Sequence, residues 1–469
     1  MKPLNSPLLS SVFFGLLLFI LPVSLRSQEP LTMETYLSYV KKHHPFVKQA
    51  QLKLTESEVK LLKQRGEFDP KLSFDQKQKT FNGTTYYKKE EARLSIPSYY
   101  GITLDATMQQ AEGNYLNPEN TVSGERLLGV GASIELGRGL LSNPRQTVLK
   151  QAKLFTQQAK EENALEINEI LTAASHSYLD WYKNYLVYKI FDQFVSNAKF
   201  RFEGVKIRME NGDLALIDTI EARIAYNQRR LDRENAHLEW QKKALNASNY
   251  LWIEQEAVVI NETLYPEVNE EKFFQRYTTD TIIIENHPKL RALGFKQNKM
   301  LLEQRLQRNN LLPQVSLHYQ WLSENNPLSQ INFALDPANN TTGLKISYPL
   351  FLRKERANVK IAALKLKDIE WEQTQSLLSL KNKIKALYIQ KERLKKQKKI
   401  ALNVVTDYQL LLEGEKQKFE AGESSLFLVN MRESKLIKAI LKSISLDIAQ
   451  KKAEITYYYA VNFDPLAQG

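Results

Sequence analysis

The heptapeptide Glu210–Leu216, ENGDLAL, recurs 210 residues later as Glu420–Leu426, EAGESSL. In each copy the glycine of this heptapeptide, Gly212 or Gly422, interrupts a long stretch of helical character. Glycine readily takes the left-handed conformation that ends a helix. Each copy therefore predicts two long helices that meet at a glycine turn, and this turn forms the exposed tip of a hairpin.

The repetition extends far beyond the tips. The shift of 210 holds over about seventy preceding positions, and farther upstream the shift becomes 243. The corresponding pairs are Leu140-Leu141 with Leu350-Phe351, His44-Pro45 with His287-Pro288, and Pro70 with Pro313. The change of shift places 33 additional residues in the first copy, between Pro70 and Leu140. We interpret the chain as a duplicated unit and expect the additional residues to form a longer external hairpin rather than extra strands.

Both copies predict a helix, then a β-rich segment, then a pair of long helices. A proline ends the first helix and alternating apolar residues follow it, which is the pattern of a strand. We divide the chain into a signal peptide at 1–27, a first repeat at 28–255, a linker at 256–284, a second repeat at 285–463 and a tail at 464–469. The first repeat has strands within 71–138 and a helix pair at 144–252. The second repeat has strands within 314–351 and a helix pair at 352–462.

The long helices have the periodicity of a coiled coil. A helix from Pro144 to Gly212 would be about 100 Å long at 1.5 Å per residue, which a globular core cannot bury. The next helix carries apolar residues seven apart, and such a stripe faces a neighbouring helix. Its members are Ile217, Ile224, Leu231, Leu238 and Leu245, and the matching positions of the second copy are Phe427, Ser434, Leu441, Ile448 and Ile455.

The N-terminus predicts export. Lys2 precedes the apolar segment Leu8–Leu21, and Ser24 and Ser27 follow it, which is the order of a secretory signal with cleavage near Ser27–Gln28. A retained anchor is the alternative, because residues 7–25 could just span a bilayer. The chain has no cysteine, which excludes disulfides and thiol nucleophiles. Its net charge of +12 is spread among acidic residues as on solvated helix faces, and export argues against a nucleic-acid partner.

The β-rich segments have the pattern of membrane strands. Short alternating strands with aromatic ends and long polar loops are typical of a transmembrane barrel, although an ordinary soluble sheet explains each segment equally well. The aromatic residues are Tyr86, Tyr87, Tyr99, Tyr100, Tyr115, Tyr319, Trp321 and Tyr348. Two small hairpins do not form a stable sheet alone, so we expect them to assemble with other copies of the chain.

Catalytic and metal-binding patterns are absent from the sequence. There are six histidines, and none has the spacing of a metal site. His44 and His287 occupy equivalent positions before a proline, which favours a role at the start of a helix. We found no phosphate-binding loop, nucleophile elbow or triad. The sequence therefore predicts no enzyme, no cofactor and no metal.

Three motifs together resemble those of the TolC-like outer-membrane efflux protein family, over nearly the whole mature chain. They are Leu31-Thr32-x-Glu34-x-x-Leu37 followed by His44-Pro45, then Tyr348-Pro349-Leu350-Phe351, and then Phe419-Glu420-x-Gly422-Glu423-Ser424-Ser425-Leu426. The resemblance implies an α+β membrane protein of the outer membrane of a diderm bacterium. It implies a homotrimer in which each chain gives four strands to a twelve-stranded transmembrane β-barrel, continued by a long periplasmic α-helical coiled-coil barrel.

The resemblance also implies a function. Such channels dock onto a periplasmic adaptor protein and an inner-membrane pump in tripartite efflux or type I secretion, and passively conduct small molecules or proteins to the exterior. The alternative is a periplasmic coiled-coil adaptor or scaffold of an export assembly, which predicts one helical hairpin flanked by compact β domains.

By the same resemblance, specific residues receive roles. The adaptor is expected to contact the hairpin tips, which consist of Gly212, Asp213, Leu214, Gly422, Glu423 and Ser424. The periplasmic entrance is expected to include Asp218, Glu221, Asn430 and Glu433. Leu428 and Met431 stand where some family members carry paired aspartates, so an aspartate constriction ring is not expected.

Overall fold

The computed structural model of the protein describes residues 29–120, 126–139, 142–269, 284–324 and 336–462. Several sequence predictions lie outside these residues. They are the signal peptide at 1–27 with its cleavage site, the tail at 464–469, the pair Leu140-Leu141, and the part of the linker from 270 to 283.

The first repeat contains a short strand, two short helices, four strands and two long helices. In chain order these are β1 (Glu29–Thr32), α1 (Met33–His43), α2 (Pro45–Arg65), β2 (Lys71–Phe81), β3 (Thr84–Pro97), β4 (Ile102–Glu112), β5 (Leu127–Gly137), α3 (Pro144–Glu210) and α4 (Leu216–Ser248). With 67 residues, α3 is about 100 Å long.

The second repeat has one short helix, two strands and two long helices. Three short strands precede it, namely β6 (Trp252–Ile253), β7 (Glu256–Ala257) and β8 (Leu264–Glu267), and its own elements are α5 (Pro288–Asn309), β9 (Gln314–Ser323), β10 (Asn340–Ser347), α6 (Arg353–Glu420) and α7 (Leu426–Ala460). The predicted duplication is confirmed. The last strand ends at Ser347 rather than Phe351, because Pro349 has no N–H to donate to a ladder.

Equivalent histidines begin the equivalent helices α2 and α5. The ring Nδ1 of His44 accepts a hydrogen bond from the backbone N–H of Phe46 at 3.2 Å, and that of His287 does so from Lys289 at 3.2 Å. A proline follows each histidine at the first helical position, where the missing N–H costs nothing. The prediction that these histidines stand at the start of helices is confirmed.

Six strands form one antiparallel sheet in the order β10-β9-β5-β4-β3-β2. The Asn82-Gly83 turn joins β2 to β3 with positive φ at both residues, as a tight hairpin requires. The additional residues of the first repeat form β3 and β4, which lie inside the sheet between β2 and β5. The expectation of an external hairpin was therefore wrong. Alternation reveals strands, but it does not reveal whether a hairpin joins the sheet or extends away from it.

The two faces of the sheet differ in polarity. Strand pairing places apolar side chains on one face, where the exposed members are Leu72, Phe74, Leu94, Ile96, Leu104, Val130, Leu317, Leu344 and Ile346. The opposite face carries hydrogen-bonded polar side chains. Asp105 accepts hydrogen bonds from Ser95 at 2.6 Å and from Ser133 at 3.0 Å, and Gln320 donates to Thr107 at 2.5 Å.

The helices stand side by side in four columns. The central helix α3 packs against α2, α4, α5 and α7, and α6 packs against α5 and α7. The columns are thus α2 with α4, then α3, then α5 with α7, and then α6. In the part of the chain that the structure describes, no helix combines the length and apolar character needed to cross a membrane.

The largest core lies where the short strands meet the long helices. Tyr36, Trp181 and Ile455 are fully buried there among residues of α1, α3, α4 and α7. The Tyr36 hydroxyl donates to the Ala247 carbonyl at 2.8 Å, and β1 pairs in parallel with β8 alongside. Each such side chain stabilises the fold by about 1.5–3 kcal/mol, so this core fixes the two repeats against each other.

The seven-residue stripe of α4 has no partner helix among the described residues of the chain. Its five residues from Ile217 to Leu245 are between 53 and 72% exposed. In α7 the equivalent stripe is exposed at Phe427 and buried at Ile448 and Ile455. A periodic apolar stripe needs a neighbouring helix. For α4, that helix is not among the columns of the same chain.

Candidate functional site: the hairpin tips and the charged cluster beside them

The two hairpin tips have the same backbone geometry. Gly212 and Gly422 have φ values of +82° and +78°, a region that is costly for a residue with a Cβ atom. At the first tip, the N–H of Gly212 donates to Met209 O at 3.0 Å and that of Asp213 to Arg208 O at 2.8 Å. At the second tip, the N–H of Gly422 donates to Phe419 O at 3.2 Å and that of Glu423 to Lys418 O at 2.8 Å. This pair of bonds is the Schellman motif, which satisfies the last carbonyls of a helix.

The tips present a small, acidic surface. Gly212, Asp213, Gly422 and Glu423 are exposed, whereas Leu214 and Ser424 are half-buried. Leu214 packs against the cluster of Val205, Ala222 and Leu426 beneath the tips. The backbone amides are used internally, so a partner at the tips would meet mainly the carboxylates of Asp213 and Glu423.

Ser424 is held by its own hairpin. Its hydroxyl donates to Glu415 Oε1 at 2.5 Å, and Arg432 Nε donates to Glu415 Oε2 at 3.2 Å. These two hydrogen bonds, the one from Ser424 first, lower the pKa of the Glu415 carboxyl, because both stabilise its charged form. Glu415 and Arg432 thus brace the second tip, and sequence reasoning did not find them.

Three of the four predicted entrance residues lie together. Asn430 donates to Glu221 Oε1 at 3.2 Å and accepts from Arg201 Nη1 at 2.8 Å. Arg201 also contacts Glu433 through its other terminal nitrogen. Asp218 lies apart from this cluster in the first turn of α4, where a carboxylate is favoured by the helix dipole.

Glu433 is the centre of the charged cluster. It is only 2% exposed and lies between Arg201 of α3 and Arg229 of α4, whose Nε is 3.4 Å from Glu433 Oε1. Arg229 is itself buried, and it also contacts Asp232 at 3.3 Å and Ser434 at 2.7 Å. The charge of a buried carboxylate is compensated when it lies between two guanidinium groups. Removing one partner would leave an uncompensated buried charge, which is destabilising. The cluster therefore fastens the second hairpin to the first.

A signal for Arg229 was present in the sequence. Ala222, Arg229 and Ala236 are seven residues apart and all buried, so they form the inward seam of α4. One arginine in a seam of alanines indicates a buried charge that needs partners on adjacent helices. The partner positions could not be predicted, because Arg201 and Glu433 come from other helices.

One cavity lies between α3, α5, α6 and α7, far from the tips. Its volume is about 560 Å³, and His176, His287, Lys289 and Lys383 line it. Burial lowers the pKa of both histidines below the ordinary value of 6.5. Within residues 29–120, 126–139, 142–269, 284–324 and 336–462, no three potential ligands of the His, Cys, Asp and Glu types are grouped as a metal site.

Comparison with known proteins identifies a family pattern in the second repeat. Residues 282–459, most of the second repeat, match the sequence model of the family described as outer membrane efflux protein. This match assigns residues 282–459 to an outer membrane efflux protein domain. The description of that family names the outer membrane and efflux, in agreement with the resemblance found in the sequence.

Solved structures share the fold of this chain. A structure of CusC, whose description refers to transmembrane channel formation, is 15% identical with a TM-score of 0.65, and the match covers 92% of each chain. A membrane protein from Pseudomonas aeruginosa is 14% identical with a TM-score of 0.67, again covering 92% of each chain. The open-state MtrE outer membrane channel of Neisseria gonorrhoeae is 11% identical with a TM-score of 0.63, covering 92% of this chain and 89% of that one. No curated protein sequence matches the chain.

Proposed function

We propose that the chain is one third of a homotrimeric export channel that conducts small molecules or proteins from the periplasm to the exterior. The observation that carries this proposal is the pair of unpartnered edges on each chain. One edge consists of β2 with the column of α2 and α4, and the other consists of β10 with α6.

The helical edges support ring assembly. The exposed stripe of α4 continues in α2 with the exposed residues Leu52 and Val59, which are again seven apart. On the opposite edge, α6 exposes Leu364, Trp371 and Leu378, also at seven-residue spacing. Two different stripes on opposite sides of one chain fit a head-to-tail contact, which closes into a ring when the rotation allows. The proposed number of three chains rests on the resemblance to TolC-like proteins.

The sheet edges support the same arrangement. Every residue of β2 and of β10 is exposed in the single chain, and an open edge pairs readily with another strand. The apolar face of the sheet suits lipid, and the polar face suits an aqueous lumen. A scaffold or adaptor would instead have one helical hairpin between compact β domains. The described part of this chain has two helical hairpins and one six-stranded sheet.

The tips are proposed to contact a periplasmic adaptor that connects the channel to an inner-membrane pump, in tripartite efflux or type I secretion. Asp213 and Glu423 offer exposed carboxylates to it, while Gly212 and Gly422 shape the turns. The entrance is proposed to include Asp218, Glu221 and Asn430, with Glu433 acting through the buried cluster. Because the chain has no described catalytic constellation, energy would come from the pump.

Two measurements test the channel. Native mass spectrometry of detergent-extracted protein should give a trimer, and the trimer should produce discrete conductance steps in a planar bilayer. A water-soluble monomer that needs no detergent would contradict the proposal.

The adaptor contact has its own test. The double variant Asp213→Lys and Glu423→Lys should remain a conducting trimer but lose export in cells that depend on it. The matched control Lys160→Glu, at an exposed position of α3 about 75 Å from the tip at 1.5 Å per residue, should export normally. Normal export by the double variant would rule out these carboxylates as adaptor contacts.

A further inference from the structure

We infer that three chains close a single barrel of eighteen strands, in which β2 of one chain pairs antiparallel with β10 of the next and places Leu72 beside Ile346. The inference rests on the proposed trimer. It departs from the twelve strands that the family resemblance implies, because this chain contributes six strands to its sheet.

The two extra strands are integral to the sheet. Ladder pairs join β3 to β2 from Lys71↔Ser95 to Phe81↔Thr84, and join β3 to β4 from Lys88↔Glu112 to Pro97↔Thr103. On the other side, β4 pairs with β5 over eight positions. Removing β3 and β4 from the sheet would break all three ladders, so closure with four strands per chain requires a different sheet.

The directions of the two edges allow them to pair. Strand β2 leads away from α2, and β10 leads back to α6, so the two edge strands run antiparallel. Their helix-proximal ends carry the apolar residues Leu72 and Ile346, which lie on the same face of the sheet. Placing these ends at one height keeps the helices of neighbouring chains level.

The stagger of the sheet has the value that closure needs. A line drawn across the sheet from Leu72 of β2, perpendicular to the strands, follows the residues that pair with one another on successive strands. These are Leu94, Ala106, Val130, Trp321 and finally Asn340, the first residue of β10. Ile346 lies six residues beyond Asn340 along β10. Pairing Leu72 of the next chain with Ile346 therefore displaces the chains by six residues, about 20 Å along the strands, for each six strands, about 29 Å across them. This ratio corresponds to a strand tilt of about 35° from the barrel axis. Closed barrels have tilts of 35–45°, so the edges meet at Leu72 and Ile346 without distortion.

The width of such a barrel also matches the helical part. Eighteen strands at this tilt have a circumference of about 105 Å, whereas twelve have about 70 Å. Four helix columns per chain give twelve columns, which at 8–10 Å each make a ring of about 110 Å. The eighteen-stranded barrel and the ring of twelve helix columns would therefore have nearly the same diameter where they join.

A wider barrel changes the class of cargo. With about 5 Å of side chain on the inner face, the lumen would be about 24 Å wide instead of about 12 Å. The polar face with Asp105, Ser133 and Gln320 would line this lumen. The membrane section would admit bulky solutes that a twelve-stranded pore excludes, so selection by size would occur at the periplasmic entrance.

Disulfide trapping tests the strand count in this naturally cysteine-free chain. Opposite residues on antiparallel strands are within disulfide range. Oxidation of the double variant Leu72→Cys and Ile346→Cys should give a covalent trimer on denaturing gels. As a matched control, Leu104→Cys with Ile346→Cys should give none, because β4 is an interior strand. A second double variant, Leu72→Cys with Leu344→Cys, tests the same strand pairing with its register shifted by two residues.

The outcomes separate the inference from the proposed function. If native mass spectrometry gives a trimer but neither Ile346→Cys nor Leu344→Cys links to Leu72→Cys, the eighteen-stranded barrel is wrong. A link within one chain between Leu72→Cys and Leu136→Cys would also overturn it, since β2 would then pair with β5 and exclude β3 and β4. A monomer would instead overturn the channel proposal itself.

Discussion

The helices α4 and α7 are equivalent parts of the two repeats, yet their apolar stripes have opposite environments. Leu238 and Leu245 of α4 are exposed, whereas the equivalent Ile448 and Ile455 of α7 are buried against the same chain. The spacing is identical, so the difference comes from position. The column of α7 lies between α3 and α6, while the column of α4 is at the edge of the chain.

This difference shows how a duplicated unit produces an assembly. The inner copy uses its stripe for the fold of the chain, and the outer copy keeps its stripe for a neighbour. Substitutions at equivalent positions should therefore affect folding in one repeat and association in the other.

The largest effect is expected from an aspartate in each stripe. Ile448→Asp would bury an unpaired charge, whose transfer cost exceeds the stability of most proteins, so no folded protein should be recovered. The equivalent Leu238→Asp should leave a folded chain with native helicity by circular dichroism but prevent trimer formation in native mass spectrometry. Equal effects of the two variants on folding would show that the stripes do not differ in the way proposed.

The next largest effect concerns the cluster that joins the two hairpins. Glu433→Gln leaves Arg201 and Arg229 without their shared carboxylate, which should lower the free energy of unfolding by about 3 kcal/mol in urea denaturation. Glu423→Gln, on the exposed second tip, is the control and should have almost no effect. If both variants unfold alike, Glu433 does not fasten the hairpins.

A smaller effect is expected at the tips, where the repeats should behave identically. Gly212→Ala and Gly422→Ala should each lower stability by about 1–2 kcal/mol, because each forces a Cβ into the left-handed region. A Cβ at either position would meet no atom within 4 Å, so no steric clash contributes. Thermal unfolding of both variants measures this, and Gly204→Ala, in an open position within α3, serves as the control. Unequal losses at the two tips would reveal a contact that one tip makes and the other lacks.

The smallest effect is a pH dependence shared by the two repeats. Burial lowers the pKa of His44 and His287 below the ordinary 6.5, so the unfolded chain binds more protons than the folded chain below that pH. Stability is therefore complete above about pH 6.5 and falls as the pH drops further. Each protonated ring loses its Nδ1 acceptor, which should cost about 1 kcal/mol as for a lost N-cap.

Urea denaturation between pH 7 and pH 5 measures this loss. The double variant His44→Asn and His287→Asn keeps a good capping residue that does not titrate, so its profile should be flatter. An unchanged profile would assign the pH dependence to other groups.

Local sequence signals were sufficient for the tips and the helix starts. Gly212 and Gly422 predicted left-handed turns because few other residues tolerate that conformation, and His44 and His287 predicted helix starts because each precedes a proline. The cluster of Arg201, Glu433 and Arg229 could be predicted only in part from the sequence, because it joins three helices that are far apart in the chain. The position of β3 and β4 within the sheet could not be predicted from the sequence either, because alternation of apolar residues indicates a strand but not the strands it pairs with.

By itself, the sequence determined the duplication, the helical rods and the tips, since these depend on residue spacing along one segment and on backbone preferences of glycine and proline. Only the tertiary structure decided which stripe is buried, that six strands share one sheet, and that Glu433 lies between two arginines. These features depend on which segments become neighbours, and that is set by packing between distant parts of the chain. A seven-residue period requires a partner helix but does not specify which one.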